Sequence, residues 1–114
     1  MCFTMKLRGN IMKIIKKLAD MIEDELEGAE HYAKCAIQHK EDNPSLASTL
    51  YEISVQEMHH VSMLHEQVAK LIEKHRKEHG APPPAMQAIY DWQHEKQIEE
   101  AAEVKRYQEM YREG

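Results

Sequence analysis

The chain has little that would build a β-sheet, a disulfide framework or a membrane span. Its 114 residues include one Phe and one Trp, a thin aromatic supply for strands, which need aromatic and β-branched side chains to cover a pleated face. Cys2 and Cys35 form neither a C-x-x-C nor a zinc-type spacing, which argues against a redox dithiol and a structural zinc site. Two lone thiols without a framework suit a reducing compartment, so a cytoplasmic protein is expected. No run of about 18 apolar residues occurs, and no membrane association is expected. Residues 1–10 carry two bases but no apolar stretch of signal-peptide length, and Met1, Met5 and Met12 each offer a start. The formal net charge of −5 gives no basic footprint for nucleic acid or an anionic bilayer.

What the chain does have is charge and aliphatic surface in helical proportions, 31% charged and 42% hydrophobic residues. Gly and Pro are scarce, four of each, and Gly80 with the four prolines marks two breaks. At Asn43-Pro44 an asparagine cap precedes a proline suited to a first turn. At Gly80-Ala81-Pro82-Pro83-Pro84 a glycine stops one helix and prolines forbid its continuation. A single all-α domain over residues 1–114 is expected. It comprises an antiparallel hairpin over about 10–79, a linker at 80–84 and a third helix over about 85–113. Helices of some thirty residues span roughly 45 Å at 1.5 Å per residue.

Apolar periodicity places the chemistry. In the first helix Ile15, Leu18, Ile22, Glu25, Ala29, Tyr32 and Ala36 step by three and four. In the second, Leu46, Leu50, Ile53, Glu57, His60, Leu64 and Leu71 do the same, with Gln67 skipped. Such spacing is the seam of helices packed nearly antiparallel. Both seams turn polar at their middles, at Glu25 and Tyr32 on one helix and Glu57 and His60 on the other. A carboxylate in an apolar seam costs several kcal/mol, roughly, unless it is paired or neutralised. Glu57 and His60, three apart, share one helix face, so together with Glu25 they offer an oxygen and nitrogen donor set to a divalent cation. The plainer account is a hydrogen-bonded Glu57–His60 core pair with Glu25 salt-bridged or reaching to solvent.

The first helix reads Glu25-Leu-Glu-Gly28-Ala-Glu-His-Tyr32, with a small residue three after the glutamate and a tyrosine seven after it; the second reads Gln56-Glu57-Met58-His59-His60. Over about residues 11–75 this pattern resembles the half-site of the ferritin-like superfamily, in which one helix gives Glu and the next Glu-x-x-His. The interval between Glu25 and Glu57 is similar to that of bacterioferritin-, rubrerythrin- and encapsulated-ferritin-like chains. The resemblance implies Glu25 and His60 as terminal metal ligands, Glu57 as a bridging ligand, and Tyr32 as a hydrogen-bonding or redox-active neighbour. An ordinary seam aromatic is the alternative for Tyr32. It also implies a full site of four glutamates and two histidines from four helices. This chain has one Glu helix and one Glu-x-x-His helix. Two copies related by a two-fold axis would complete a four-helix bundle holding two iron ions, with manganese or zinc as substitutes.

The third helix repeats the glutamate-tyrosine spacing at Glu100 and Tyr107 and loosely imitates the ligand pair at Asp91-x-x-His94. Its inward row of Met86, Tyr90, Gln93, Gln97, Glu100, Val104, Tyr107 and Tyr111 is far more polar than the other seams. It is therefore expected to pack outside the site, with Met86, Ile89, Tyr90 and Trp92 anchoring its start. His75 and His79 stand four apart near a helix end, where they can bind a stray metal or complement the dipole. His39, His59 and His65 fall off the seams, and Cys35 reads as a small core residue. In encapsulated ferritins acidic residues at the positions of Asp24 and Glu27 form a metal uptake route; here His31 replaces that family's tryptophan, and a solvated acidic face is the expectation. The tail Gln108-Glu-Met-Tyr-Arg-Glu-Gly114 lacks the apolar, small-residue signal of encapsulin cargo, so an encapsulin shell has no sequence support as a partner.

The expectation is thus a homodimeric or higher homo-oligomeric di-iron carboxylate protein that oxidises Fe(II). A rubrerythrin-like peroxide reductase fits less well, since no rubredoxin-like cysteine pairs occur. The competing class is a non-enzymatic helical assembly module with a structural or vestigial metal site.

Overall fold

The computed structural model describes the backbone of residues 2–114 and the side chains from residue 11 onward. It consists of three α-helices, α1 (Cys2–His39), α2 (Pro44–His79) and α3 (Pro84–Glu113), with no strand among the described residues. α1 begins ahead of the expected Asn10. Both breaks fall where the sequence places them. The Asn43 side chain accepts a hydrogen bond from the Leu46 N–H at 3.2 Å, and Pro44 sits in the first turn. Gly80 takes φ 78°, which a Cβ would make costly, and its N–H donates to the Arg76 carbonyl at 2.8 Å. None of the helices is long and apolar enough to cross a membrane, among the described residues.

The molecule is a rod of 63 × 20 × 16 Å. α1 and α2 form the antiparallel hairpin, and α3 returns along them, parallel to α1. The fully buried row of α1 is Ile15, Ala19, Ile22, Leu26, Ala29, Ala33 and Ala36. Ile15, Ile22, Ala29 and Ala36 are the seam positions expected from the sequence. Leu18, Glu25 and Tyr32 are only half-buried, and Ala19, Leu26 and Ala33 take the inner places instead. The physical reason is α3, which covers α1 on the side away from Leu18, Glu25 and Tyr32. The Lys34 ammonium lies 5.0 Å over the Tyr107 ring, and Glu100 feels the charges of Glu23, Glu27 and Glu30.

A buried polar chain ties the three helices together. Gln108 Nε2 of α3 donates to Ser54 Oγ of α2 at 2.9 Å, and that hydroxyl donates to the Ala29 carbonyl of α1 at 2.7 Å. At the same end Tyr51 and Tyr111 stack with centroids 4.6 Å apart, Arg112 donates to the Tyr51 hydroxyl at 2.7 Å, and Lys40 donates to the Tyr111 carbonyl. Toward the other end the helices part around a groove of about 690 Å³ floored by Ile15, Ala19, Ile22, Val68 and Ile72.

The inward row of α3 is the one read from its sequence: Val104 is buried and Met86, Tyr90, Gln93, Gln97, Glu100, Tyr107 and Tyr111 are half-buried. The expected anchors divide. Met86 and Tyr90 face inward, whereas Ile89 and Trp92 are 58% and 62% exposed, because they fall on the opposite side of a 3.6-residue helix. Among the described residues no element covers the other side of the hairpin. Ile14, Met21 and Leu46 are exposed there, and Leu18, Tyr32, Ile53, Leu64 and Leu71 half-exposed.

A candidate metal centre on the uncovered side of the hairpin

Glu25, Glu57 and His60 lie in the middle of that uncovered side. Antiparallel pairing puts Glu25 across from His60 and Gly28 across from Glu57, so a step of three down α2 matches a step of three up α1. One donor atom from each of the three residues lies within 4.8 Å of the other two, and no other group of three or more His, Cys, Asp or Glu meets this spacing among the described residues. His60 Nδ1 is 3.4 Å from Glu25 Oε2, with the two side chains 52% and 29% exposed.

The helices approach closely at Gly28, leaving room for a Cβ but little more. A Cβ built on it would stand 3.4 Å from Glu57 Oε2 and 3.7 Å from the carboxyl carbon. Any larger side chain would push the carboxylate away.

The electrostatics follow from two acids facing each other. The hydrogen bond to Glu25, then burial and the charge of Glu25, push the Glu57 carboxyl up to about 7, while His60 pulls in the other direction. Near neutrality the two acids therefore share a proton for much of the time. A divalent cation can replace that proton and neutralise both groups. Donors at roughly 2.0–2.2 Å from one ion stand at most about 4.4 Å apart, so the observed spacing closes with small rotations of exposed side chains. The donor set and the geometry fit a metal. One chain supplies three protein donors and leaves the outer side of the cluster open.

Tyr32 does not touch this group. It is half-buried on the same edge of α1, seven residues or roughly 10 Å further along the axis, with its ring 6.1 Å from that of His31. Glu100 does not join the cluster either, since it faces Glu23, Glu27 and Glu30 on the α3 side; burial, its largest influence, raises its carboxyl above the usual range. Asp91 accepts a hydrogen bond from Gln87 at 2.8 Å and His94 stacks on His65 with centroids 5.2 Å apart, so these two are not a second ligand pair. Cys35 is half-buried, with its Sγ 3.9 Å from His31 Nε2, and not a core residue. The Cys2 thiol lies outside the described side chains. Asp24 and Glu27 are exposed, as a solvated acidic face would be.

Sequence reasoning missed Ser54 and Gln108, the polar residues that fix the hairpin against α3. Ser54 lies between the seams that the hydrophobic pattern defines, and no periodicity marks it.

No protein-family model matches the chain, and neither a curated protein nor a solved structure matches it.

Proposed function

We propose that the protein is a di-iron carboxylate protein that oxidises Fe(II) at a site formed between two copies of the chain. The observation that carries this reading is the meeting of Glu25, Glu57 and His60 within 4.8 Å on the side of the hairpin that α3 leaves uncovered. A cluster with its outer side open, on a face that also exposes Ile14, Met21 and Leu46, suits closure by a second copy presenting the same face. Two copies bring four glutamates and two histidines, a set whose oxygen donors favour iron or manganese over copper.

In this reading Glu25 and His60 of each chain would together be the terminal ligands of one ion, two ions per dimer, and Glu57 would be the ligand the two ions share. Two ferrous ions held side by side supply two electrons to dioxygen or peroxide. The protein's own part is to place the donors, to give up the proton on Glu57 as metal enters, and to shield the pair with the apolar residues of that face. In this reading Tyr32, two turns up the same edge, would serve the completed site as a hydrogen-bonding or redox-active neighbour.

A second reading rests on a specific feature. The Glu25–Glu57 hydrogen bond and the Glu25–His60 contact satisfy the three groups among themselves, as a metal-free assembly module would require. Addition of Fe(II) under air separates the two. The ferroxidase reading expects oxygen-dependent growth of near-ultraviolet absorbance, lost in Glu57→Ala with helicity retained. An unchanged wild-type spectrum after Fe(II) addition would sink it.

A further inference from the structure

The groove that α2 and α3 leave between them holds about 690 Å³, inside the range of roughly 300–1,000 Å³ typical of small-molecule sites. Its floor is aliphatic, Ile15 and Ile22 from α1 with Val68 and Ile72 from α2. Toward one end the imidazoles of His65 and His94 stack between α2 and α3 with centroids 5.2 Å apart. Toward the other stand Arg76 and Tyr90, which also line the small cavity beyond. The ends are 11 residues apart along α2 (76 − 65), roughly 16 Å at 1.5 Å per residue. An aliphatic floor of that length, polar at its ends, suits an extended alkyl chain with one polar head.

The Arg76 end decides the sign of that head. Arg76 donates to Gln87 Oε1 at 3.3 Å, and Gln87 Nε2 donates on to Asp91 at 2.8 Å. The neutral amide thus stands between the guanidinium and the Asp91 carboxylate, and Arg76 has no ion-pair partner among the described residues. A guanidinium offers five N–H donors in a fork that matches a carboxylate. The hydroxyl of Tyr90 has no hydrogen-bond partner among the described residues either. Burial pushes that phenol above its ordinary value, which keeps it a donor. Glu73, the other acid on the wall, is taken up by Lys77 at 3.7 Å. Gln87 lies in the first turn of α3, which carries no acidic residue and no side-chain cap, so the positive end of that helix adds to the attraction for an anion.

We propose that the groove binds a single-chain amphiphile with a carboxylate head, a fatty acid, its alkyl chain laid along Ile15, Ile22, Val68 and Ile72 and its carboxylate held by Arg76 and Tyr90. The site uses none of Glu25, Glu57 and His60 and stands independently of the metal centre.

The test is calorimetric titration of the full chain, with no metal added, using decanoate, dodecanoate, tetradecanoate and hexadecanoate below their micellar concentrations. One fatty acid binds per chain. Affinity rises roughly fourfold with each methylene that the floor buries, and levels off once the tail outgrows the groove. Arg76→Gln, at an exposed position, lowers affinity by roughly 10-fold and leaves the dependence on tail length in place. Dodecylamine, with the same tail and the opposite head charge, binds at least about 10-fold more weakly than dodecanoate. Val68→Trp fills the floor and blocks every tail, with circular dichroism checking the helices; where that variant loses helicity, Arg76→Gln and the amine decide. The proposal is overturned by the absence of saturable binding, by affinity indifferent to tail length or to Arg76→Gln, or by dodecylamine binding as tightly as dodecanoate.

Discussion

Negative charge at Glu25 and Glu57 governs the behaviour of the site residue by residue. The Glu57 carboxyl is raised to about 7 from an ordinary value of 4.5, first through its hydrogen bond to Glu25. A raised carboxyl favours the protonated form in the fold. Its contribution to stability is therefore full below about pH 4.5 and is lost as pH climbs through 7. Metal-free protein should be less stable at pH 8 than at pH 6 on this account, and Glu57→Gln should remove that difference, as read by urea unfolding at both values. Metal binding has the opposite dependence. Below pH 7 an incoming cation must displace the proton, so affinity should rise toward pH 7 and level off above it. Calorimetry in buffers of different ionisation enthalpy at pH 6 should report close to one proton released per chain; none released would contradict the shared-proton description. Gly28 gives a sharper steric test. Alanine there meets Glu57 Oε2 at ordinary contact distance, 3.4 Å, and should stabilise the metal-free helix by up to about 1 kcal/mol while metal uptake survives. Gly28→Leu should abolish uptake by displacing the carboxylate, which a metal titration would show.

At the scale of elements, the buried link from Gln108 through Ser54 to the Ala29 carbonyl sets how α3 sits on the hairpin. Ser54→Ala leaves the Gln108 amide buried without its partner and should cost about 1–3 kcal/mol. Adding Gln108→Leu should recover much of that loss, and a double-mutant cycle by chemical denaturation measures the coupling. Additive losses would mean that the link does not hold the helices together. The same element shows how far a sequence reads. Helix ends were legible because Asn43, Gly80 and the prolines act locally. The inward row of α3 was legible from its spacing, and so were Glu25, Glu57 and His60, as polar interruptions of apolar seams. The tilt of α1 was not. A single stripe of steps by three and four fits either Leu18, Glu25 and Tyr32 or Ala19, Leu26 and Ala33 as its second row, and the choice depends on where α3 docks. Alanines carry too little hydrophobicity to announce that they are the buried row. Ile89 and Trp92 misled for the converse reason, since their size suggested an anchor although their helical phase turns them outward.

For the whole molecule, the decisive asymmetry is that α3 covers one side of the hairpin and leaves the side that carries Glu25, Glu57 and His60 bare. Exposed Ile14 and Met21 on α1, on the same edge as Glu25, would be an aggregation liability in a monomer; in the proposed dimer they would be covered by the second copy. Site completion and dimerisation are then one event. The most direct measurement is native mass spectrometry of the protein loaded anaerobically with Fe(II), beside the Met21→Asp and Glu57→Ala variants. The account predicts a wild-type dimer carrying two irons, an iron-poor monomer for Met21→Asp, and an iron-free species for Glu57→Ala. A wild-type monomer that holds iron as well as the dimer does, or iron retained without Glu57, would contradict it.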